Sequence, residues 1–330
     1  MKICFLENTK FEYSYKDIHS PILRGAENIL INLTKKLSDI GHDITVYNNC
    51  NIEIHNEKSN WYNINSIQNS SDVIFDFAIS NGDAKLFNKV NAKKHIVFSY
   101  SLQSIEKFIR KGQLLSYLKY RPTYFLIGDY HIKNRSKLIS MFGVEILDVA
   151  IDDAFNKTII HPGTIRKNNA IFTSRGDRNL ELLVDIWNNN IFPKFNQAKL
   201  FVTPYKNIST KNNIFFRNMS TRQDLINDLL KSKVFLIPGH KAELFCLAAA
   251  EAQELCIPIV TLGIGSLYER VDHGINGFIA NNNYEFADFT IQLLKDHSLW
   301  TRLHNNMLLK RGQKNWLNCA KNFVSKLKFI

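Results

Sequence analysis

Two glutamates and a cluster of alanines follow a short apolar strand in the second half of the sequence. The segment reads VFLIPGHKAELFCLAAAEAQELC and carries Glu243 and Glu251 in an E-x7-E spacing. The strand is predicted to end at Pro238-Gly239, and a helix is predicted to begin just after Glu243. The first backbone N–H groups have no partner in that helix, and together with the helix dipole they favour a bound anion. These N–H groups belong to Leu244, Phe245, Cys246 and Leu247.

The two carboxylates differ in what they can do along this helix. They are separated by roughly 12 Å along the helix axis, at about 1.5 Å per residue. A carboxylate inside an alanine-rich helix is costly unless it has a partner. A ribose diol would suit Glu251, because an ionised carboxylate accepts hydrogen bonds from neighbouring hydroxyls. The alternative is that Glu243 is only a charge at the helix N-terminus and Glu251 a solvated surface residue.

Strands and helices alternate along the whole chain. The sheets that they form are expected to position the segment that carries Glu243 and Glu251. At the start, KICFLE, an amphipathic helix from Leu23 onward and ITVY form a strand–helix–strand unit. NAIFTS, NLELLVDIWNN and AKLFVTP repeat this order in the second half. Such alternation predicts parallel sheets, in which ligands bind at the carboxyl ends of the strands. The polar segment around Pro162 and Gly163 is the expected domain boundary.

Composition limits the classes of protein that the chain can belong to. Its 330 residues exceed what one hydrophobic core usually serves, which favours two domains. The five cysteines are spread singly, as expected for reduced thiols in a cytosolic protein. The N-terminus lacks the pattern of a signal peptide, and no apolar run is long enough to span a bilayer. The net charge of +12 fits nucleic acid, an anionic membrane, a phosphorylated substrate, or simply a lysine- and asparagine-rich composition.

The segment from Val234 to Ala280 resembles the donor domain of retaining glycosyltransferases of family 4, which have the GT-B fold. The family's E-x7-E element corresponds to Glu243 and Glu251, and GIGSLYERVDHGINGFIA resembles its small-residue loop and glycine turn. IFTSRGDRNLELLVDIW resembles the opening strand of the donor domain with its basic phosphate contact. VAIDDAF resembles the inter-domain signature, and LRGAENILINLTKKLSDIGHDITVY the first glycine loop and helix. The resemblance therefore covers most of the chain.

The resemblance implies a role for each matching residue. Glu243 would lie against the donor sugar, and Glu251 would hold the ribose. The amides of Leu244–Leu247 would bind the distal phosphate and the sugar. Arg178 would neutralise the pyrophosphate, with Arg175 as its neighbour or substitute. Fixed cations and dipoles would stabilise the charge that the nucleoside diphosphate gains as the glycosidic bond breaks, so Glu243 and Arg178 are the predicted catalytic residues.

The acceptor side of the predicted site is less defined. Gly25 would let the backbone approach the sugar or phosphate, although Arg24 stands where the family often has a second glycine. Tyr100 lies near the end of a strand and close to the expected cleft, whereas His95 lies at the strand start, and no catalytic base is assigned. Base recognition is expected near Phe216–Ser220. The chain has no Asp-x-Asp motif, which favours catalysis without a metal or another cofactor.

Together these patterns predict an α/β protein of the GT-B fold, with two Rossmann-like domains whose parallel sheets face a central cleft. Residues 1–155 would bind the acceptor, residues 156–312 the nucleotide sugar, and residues 313–330 would form a helix that packs back on the first domain. The expected reaction is retaining hexosyl transfer from a UDP- or GDP-linked sugar to a glycan or lipid-linked glycan, in surface polysaccharide or glycoconjugate synthesis. The expected location is cytoplasmic, with peripheral contact at the inner face of an anionic membrane.

Two other classes remain as alternatives. A basic nucleic-acid-binding protein would concentrate its cations on one face with aromatic residues between them, whereas the basic residues here are scattered along both halves. A Rossmann-type oxidoreductase would need G-x-G-x-x-G after the first strand, where this sequence has only Gly25. Neither nucleic acid nor a nicotinamide cofactor is therefore an expected partner.

Overall fold

The protein divides into two compact units. The computed structural model describes residues 1–18, 23, 25–55, 59–67, 73–102, 104–206, 208–218 and 221–330. The first unit contains Met1–Ala150 together with Trp316–Ile330, and the second contains Ile151–Asn315. No helix in the described ranges is both long enough and apolar enough to cross a bilayer.

The first unit is built on a twisted, mainly parallel sheet. Its described strands are β1 (Lys2–Leu6), β2 (Asp43–Asn48), β3 (Ile54–His55), β4 (Ser59–Asn63), β5 (Ile74–Asn81), β6 (Asn91–Phe98), β7 (Thr123–Leu126) and β8 (Val144–Ile146). They are ordered β3-β4-β2-β1-β5-β6-β7-β8, and only the β3–β4 pair is antiparallel. The central strand β1 is buried from Ile3 to Leu6, as expected for a strand covered on both faces.

Short helices flank this sheet. The described ones are α1 (Gly25–Asp39), α2 (Ile105–Arg110), α3 (Leu114–Tyr120) and α4 (Asp129–Asn134). α1 packs against the sheet because its apolar residues recur at helical spacing and are all nearly fully buried. These residues are Ile29, Leu30, Leu33 and Leu37.

The second unit has a wholly parallel sheet among its described residues. Its strands are β9 (Lys167–Phe172), β10 (Lys199–Val202), β11 (Ile214–Phe216), β12 (Ser232–Leu236), β13 (Ile259–Thr261) and β14 (Gly277–Ile279). They are ordered β11-β10-β9-β12-β13-β14. Along the chain, β9, β10 and β11 form one half of the sheet from the centre outward. The strands β12, β13 and β14 then form the other half, again from the centre outward. The boundary between β9 and β12 is therefore the topological switch point, where ligands of open α/β sheets bind.

The helices of the second unit are α5 to α11. They are α5 (Asp153–Lys157), α6 (Leu180–Ile186), α7 (Arg222–Leu230), α8 (Leu247–Glu254), α9 (Leu267–Arg270), α10 (Asn283–Lys295) and α11 (His297–Leu308). α6 continues into a π-helical turn over Trp187–Ile191. α7 begins at Arg222 because Thr221 caps it and Asp224 completes a capping box.

The last helix, α12 (Trp316–Leu327), belongs to the first unit. Trp316 and Phe323 are buried, and the Phe323 ring lies edge-on to Phe125 of β7 with 5.2 Å between the ring centroids. Lys326 forms an ion pair with Glu145 of β8 at 2.8 Å. The apolar stripe of α12 thus completes the core of the first unit, and Trp316 is a packing residue.

Candidate functional site

Two segments meet at the switch point of the second sheet. Arg178 follows β9, and Glu243 follows β12, the neighbouring strand. The Arg178 Nε atom lies 3.4 Å from Glu243 Oε2, and both side chains are largely buried, at 20% and 18% exposure. The fold therefore brings together the two residues that the sequence singled out for catalysis.

The ionisation state of the Glu243 carboxylate depends on the groups around it. Burial raises its pKa above the usual range, whereas Arg178, the backbone N–H of Cys246 and Arg175 lower it. Asp177 has the opposite effect and raises it. The Arg178 guanidinium is the strongest of the groups that favour the ionised carboxylate, and the two side chains form one electrostatic unit.

Arg175 and Arg178 have different surroundings. Arg175 is 69% exposed and forms a two-pronged contact with Asp177, with 3.0 Å from Nε to Oδ1. Arg178 contacts the same Asp177 more loosely, at 3.7 Å from Nη1 to Oδ2, and its Nη1 atom also lies 3.5 Å from His240 Nδ1. The same His240 atom accepts a hydrogen bond from the backbone N–H of Ala242 at 3.1 Å. Arg178 is thus the arginine at Glu243, and His240 is a part of the site that the sequence did not reveal.

The helix at this site begins later than the sequence suggested. α8 starts at Leu247, so the predicted start just after Glu243 is wrong by about three residues, a larger error than the usual ambiguity of helix ends. The cause is Cys246, which caps α8 in a left-handed conformation at φ 59° that a helix cannot contain. Leu244 and Phe245 form a bend before the helix instead of its first turn.

The backbone amides predicted to bind an anion are still available. Within the described chain, the N–H groups of Leu244, Phe245 and Leu247 donate no hydrogen bond, and the Cys246 N–H points at the Glu243 carboxylate. The side chains of Leu244, Phe245 and Cys246 are buried, which fixes the backbone of this segment. These amides and the N-terminus of α8 present partial positive charge beside Arg178.

A glycine loop supports Glu243 from the opposite side. Gly265 has φ +77°, and a Cβ atom there would collide with the His240 carbonyl and lie 2.9 Å from the Glu243 carbonyl. The backbone N–H of Ser266 donates to that Glu243 carbonyl at 2.9 Å. Only glycine fits so close an approach in this conformation. The GIGS loop therefore fixes where the Glu243 backbone lies.

Glu251 lies on α8 in a second charged cluster. Its side chain is only 12% exposed, which excludes a solvated surface residue. Its Oε1 atom is 3.4 Å from Arg222 Nη1, and Arg222 Nε is 3.6 Å from Asp152 Oδ2. Burial raises the pKa of Glu251 to about 7, opposed by Arg222 and Arg217, while Asp152 raises it further. Sequence spacing did not reveal Arg222 or Asp152, because helix α7 and the segment before α5 meet Glu251 only in the folded unit.

The predicted acceptor-side residues lie in the first unit. Gly25 opens α1, and Tyr100 follows β6, where burial and then the nearby Glu7 raise the pKa of its hydroxyl well above the usual range. His95 is packed between aromatic rings, with centroids 4.9 Å from Phe87 and 4.7 Å from Tyr120, and burial lowers its pKa to about 4. It is a half-buried packing histidine. Arg24, and residues 219 and 220 of the predicted base-recognition loop, lie outside the described residues.

Comparisons with known proteins agree with this architecture. Residues 196–309 match the sequence profile of the family described as "Glycosyl transferases group 1". No curated protein sequence matches the chain.

Solved structures resemble the protein over its full length. One is sucrose-phosphate synthase from Thermosynechococcus elongatus, with a TM-score of 0.72 at 12% identity, covering 100% of this chain and 99% of that one. Another is HepE from Anabaena in complex with UDP and glucose, with a TM-score of 0.71 at 14% identity and 100% of both chains covered. A third is WaaG, a glycosyltransferase involved in lipopolysaccharide biosynthesis, with a TM-score of 0.67 at 12% identity, covering 98% and 99%. The fold is GT-B.

Proposed function

We propose that this GT-B glycosyltransferase, which carries a group 1 domain in residues 196–309, binds a nucleotide-diphosphate sugar at Arg178, Glu243 and the start of α8. It transfers the sugar with retention at the anomeric carbon. The observation that carries the proposal is the 3.4 Å contact between Arg178 and Glu243 at the switch point of the second sheet. The N–H groups of Leu244, Phe245 and Leu247, which follow Glu243 in the chain, donate to no described group, so that one short segment beside Arg178 offers hydrogen-bond donors to a diphosphate.

Arg178 and the amides act on the leaving group. As the bond between the sugar and the diphosphate breaks, negative charge builds on the phosphate oxygens. A guanidinium and fixed N–H dipoles in a partly buried site stabilise that charge without reorganising. Arg178 would supply a full positive charge, and the backbone N–H groups of Leu244 to Leu247 would supply dipoles. The proposed reaction therefore needs neither a metal ion nor another cofactor. Arg175 would contribute a weaker, solvent-screened attraction.

Glu243 acts on the sugar in this proposal. Its carboxylate can accept hydrogen bonds from the sugar hydroxyls, and it opposes the positive charge that develops at the anomeric carbon. Glu251 would bind the ribose hydroxyls of the same donor. HepE, a structural neighbour of this chain, is solved with UDP and glucose, which supports a UDP-linked donor here; a GDP-linked donor is the alternative.

The acceptor in this proposal is a glycan or lipid-linked glycan, in surface polysaccharide or glycoconjugate synthesis. The involvement of the neighbour WaaG in lipopolysaccharide biosynthesis supports this class of acceptor. Gly25 and Tyr100 of the first unit are the proposed acceptor-side residues. The protein would work in the cytoplasm, in peripheral contact with an anionic membrane.

A panel of nucleotide sugars, each tested by thermal shift and then by product formation, tests the donor class. A ligand at about 100 times its Kd stabilises the folded state by about 2.7 kcal/mol, which raises Tm measurably. One UDP- or GDP-linked sugar is expected to raise Tm and to be turned over with retention. A panel in which NADH or NADPH raises Tm and no nucleotide sugar does so would reject the proposal in favour of an oxidoreductase.

The affinity for the donor is expected to depend on pH through Glu251. Only the ionised carboxylate accepts both ribose hydroxyls, and its pKa is raised to about 7. KM for the nucleotide sugar should therefore rise about tenfold as the pH falls from about 8 to about 6. Arg222→Met removes the cation that favours ionisation and should move this profile to higher pH, with the reaction rate at saturating donor little changed.

Two variants serve as controls for the pH profile. Lys231→Met removes an exposed cation from the other end of α7 and should leave the profile in place. Glu251→Gln should bind the donor weakly at every pH, since it has no carboxylate to ionise. A wild-type KM that does not change between pH 6 and pH 8 would show that Glu251 does not bind the ribose.

A further inference from the structure

The helical hairpin formed by α2 and α3 exposes an unusually apolar surface. Five aliphatic side chains within fourteen consecutive residues are between 39% and 82% exposed. They are Ile105, Ile109, Leu114, Leu115 and Leu118. Leu138 and Met141, each more than half exposed, lie in the segment that adjoins α3, where the Tyr117 hydroxyl donates to the Leu138 carbonyl and accepts from the Met141 N–H. We call these seven residues the hairpin surface.

The hairpin is rigidly held, so this exposure is a property of the fold. Phe108 and Tyr117 are buried and stack edge-on at 5.0 Å, and Gln113 between the helices is also buried. The Gln113 side chain donates to the Gly82 carbonyl at 3.2 Å. A helix on a soluble protein normally turns its polar face to water. In α3 the inward-facing residues include Ser116 and Tyr117, while three leucines face outward.

Basic residues alternate along the chain with the aliphatic residues of the hairpin surface. Residues 104–121 contain five basic residues and a single acidic one, Glu106. The basic residues are Lys107, Arg110, Lys111, Lys119 and Arg121. Within the described chain, Arg110, Lys111 and Lys119 form no ion pair. Lys107, Arg110 and Lys111 lie three and four residues apart in and just after α2, which places their charges close together. The pKa of Lys107 is lowered, first by partial burial and then by Lys111 and Arg110.

Exposed aliphatic side chains with several nearby cations match the chemistry of an anionic bilayer. The aliphatic groups enter the region between head groups and acyl chains, and the cations meet the phosphates. A second copy of the chain would bring the same cations face to face and be repelled. Single-stranded nucleic acid is bound by aromatic side chains that stack with bases, and the exposed residues here are aliphatic.

We propose that the hairpin surface on α2 and α3 docks the first unit onto an anionic phospholipid membrane. This deepens the proposed function, because a lipid-linked acceptor is embedded in such a membrane. Binding to lipid is independent of catalysis, so it can be measured without donor or acceptor. Failure of the nucleotide-sugar panel and failure of membrane docking are therefore separate results.

Vesicle flotation of the full-length protein tests the proposal. The wild-type protein is expected to float with vesicles of phosphatidylcholine and phosphatidylglycerol at low salt, and to be released at about 0.5 M NaCl, where surface charges are screened. It should float poorly with phosphatidylcholine alone. The double variant Leu115→Ser with Leu118→Ser should bind the anionic vesicles at least about tenfold more weakly. Arg110→Gln with Lys111→Gln should also lose about tenfold at low salt.

Matched variants in the second unit separate docking from a general change in surface chemistry. Ile159→Ser with Ile165→Ser removes equally exposed aliphatic groups, and Lys206→Gln with Lys211→Gln removes two exposed charges. Both should bind vesicles within about twofold of wild type. All variants change exposed side chains and should keep the wild-type Tm.

Three results would overturn the proposal. One is a wild-type protein that does not bind anionic vesicles at low salt. Another is a second-unit control that weakens binding as much as the hairpin variants do. The third is a dimer in sedimentation experiments that Leu115→Ser with Leu118→Ser converts to a monomer without vesicle binding, which would assign the hairpin surface to a second copy.

Discussion

Arg178→Ala is expected to lower kcat about 100- to 1,000-fold, the usual loss when one preorganised group that stabilises transition-state charge is removed. The residue lies beside Glu243 and beside amides that no other described group occupies. Without the guanidinium, the site would lose the cation beside Glu243 that offsets the negative charge gained by the departing diphosphate. The unpaired Glu243 would respond by taking up a proton, because burial already raises its pKa. Turnover of the donor identified in the panel is the measurement, and the Tm should stay close to that of wild type.

Arg175→Ala is the matched comparison for this prediction. It removes the same charge three residues away, but from a side chain that is 69% exposed and bound to Asp177. Because solvent screens such a charge, its loss should cost less than about tenfold in kcat. If Arg175→Ala is the more damaging change, the two arginines have been assigned the wrong way round. If neither variant loses activity, the diphosphate does not bind at this site.

Glu243→Ala should lower kcat by about three orders of magnitude, because the change removes both the acceptor for the sugar hydroxyls and the negative charge beside the anomeric carbon. Glu243→Gln keeps the shape and one acceptor oxygen but loses the charge, so it should retain about tenfold more activity than the alanine variant. The carbonyl of residue 243 is still held by the Ser266 N–H in both variants, which should preserve the fold.

The double variant shows whether the two residues act together. Side chains in contact couple, so Arg178→Ala with Glu243→Ala should lose much less activity than the product of the two single losses. Strictly multiplicative losses would show that the residues act at separate places. Full activity in either single variant would remove the proposed role of that residue.

The sequence was informative where function depends on neighbours along the chain. The alternation of strands and helices correctly predicted two parallel sheets, and the position of Glu243 just after a strand placed it at the carboxyl edge. The association of Arg178 with Glu243 followed from the family resemblance and from the rule that ligands of open α/β sheets bind at the carboxyl ends of the strands. Residue spacing could not show which arginine turns towards Glu243, since Asp177 pairs with both arginines and only the fold places Arg178 at the carboxylate.

The remaining details of the site depend on backbone conformation and on long-range packing. Cys246 adopts a left-handed conformation, which is rare for cysteine, so helical periodicity placed the start of α8 too early. Arg222 reaches Glu251 from a helix 29 residues away in sequence, and no local pattern encodes that contact. The exposure of the leucines of α3 could not be read from the sequence, because periodicity alone does not tell which side of a helix faces the core.

The position of α12 also determines the order in which the protein can fold during synthesis. Phe323 packs against Phe125, yet the whole second unit, Ile151–Asn315, lies between them in the chain. At translation rates of about 5 to 20 residues per second, the ribosome needs roughly 8 to 30 s to pass through that insertion. During this time the second unit can complete its fold, whereas the first keeps an apolar gap at β7. We therefore expect chaperones to cover the N-terminal half of the nascent chain until α12 emerges from the ribosome.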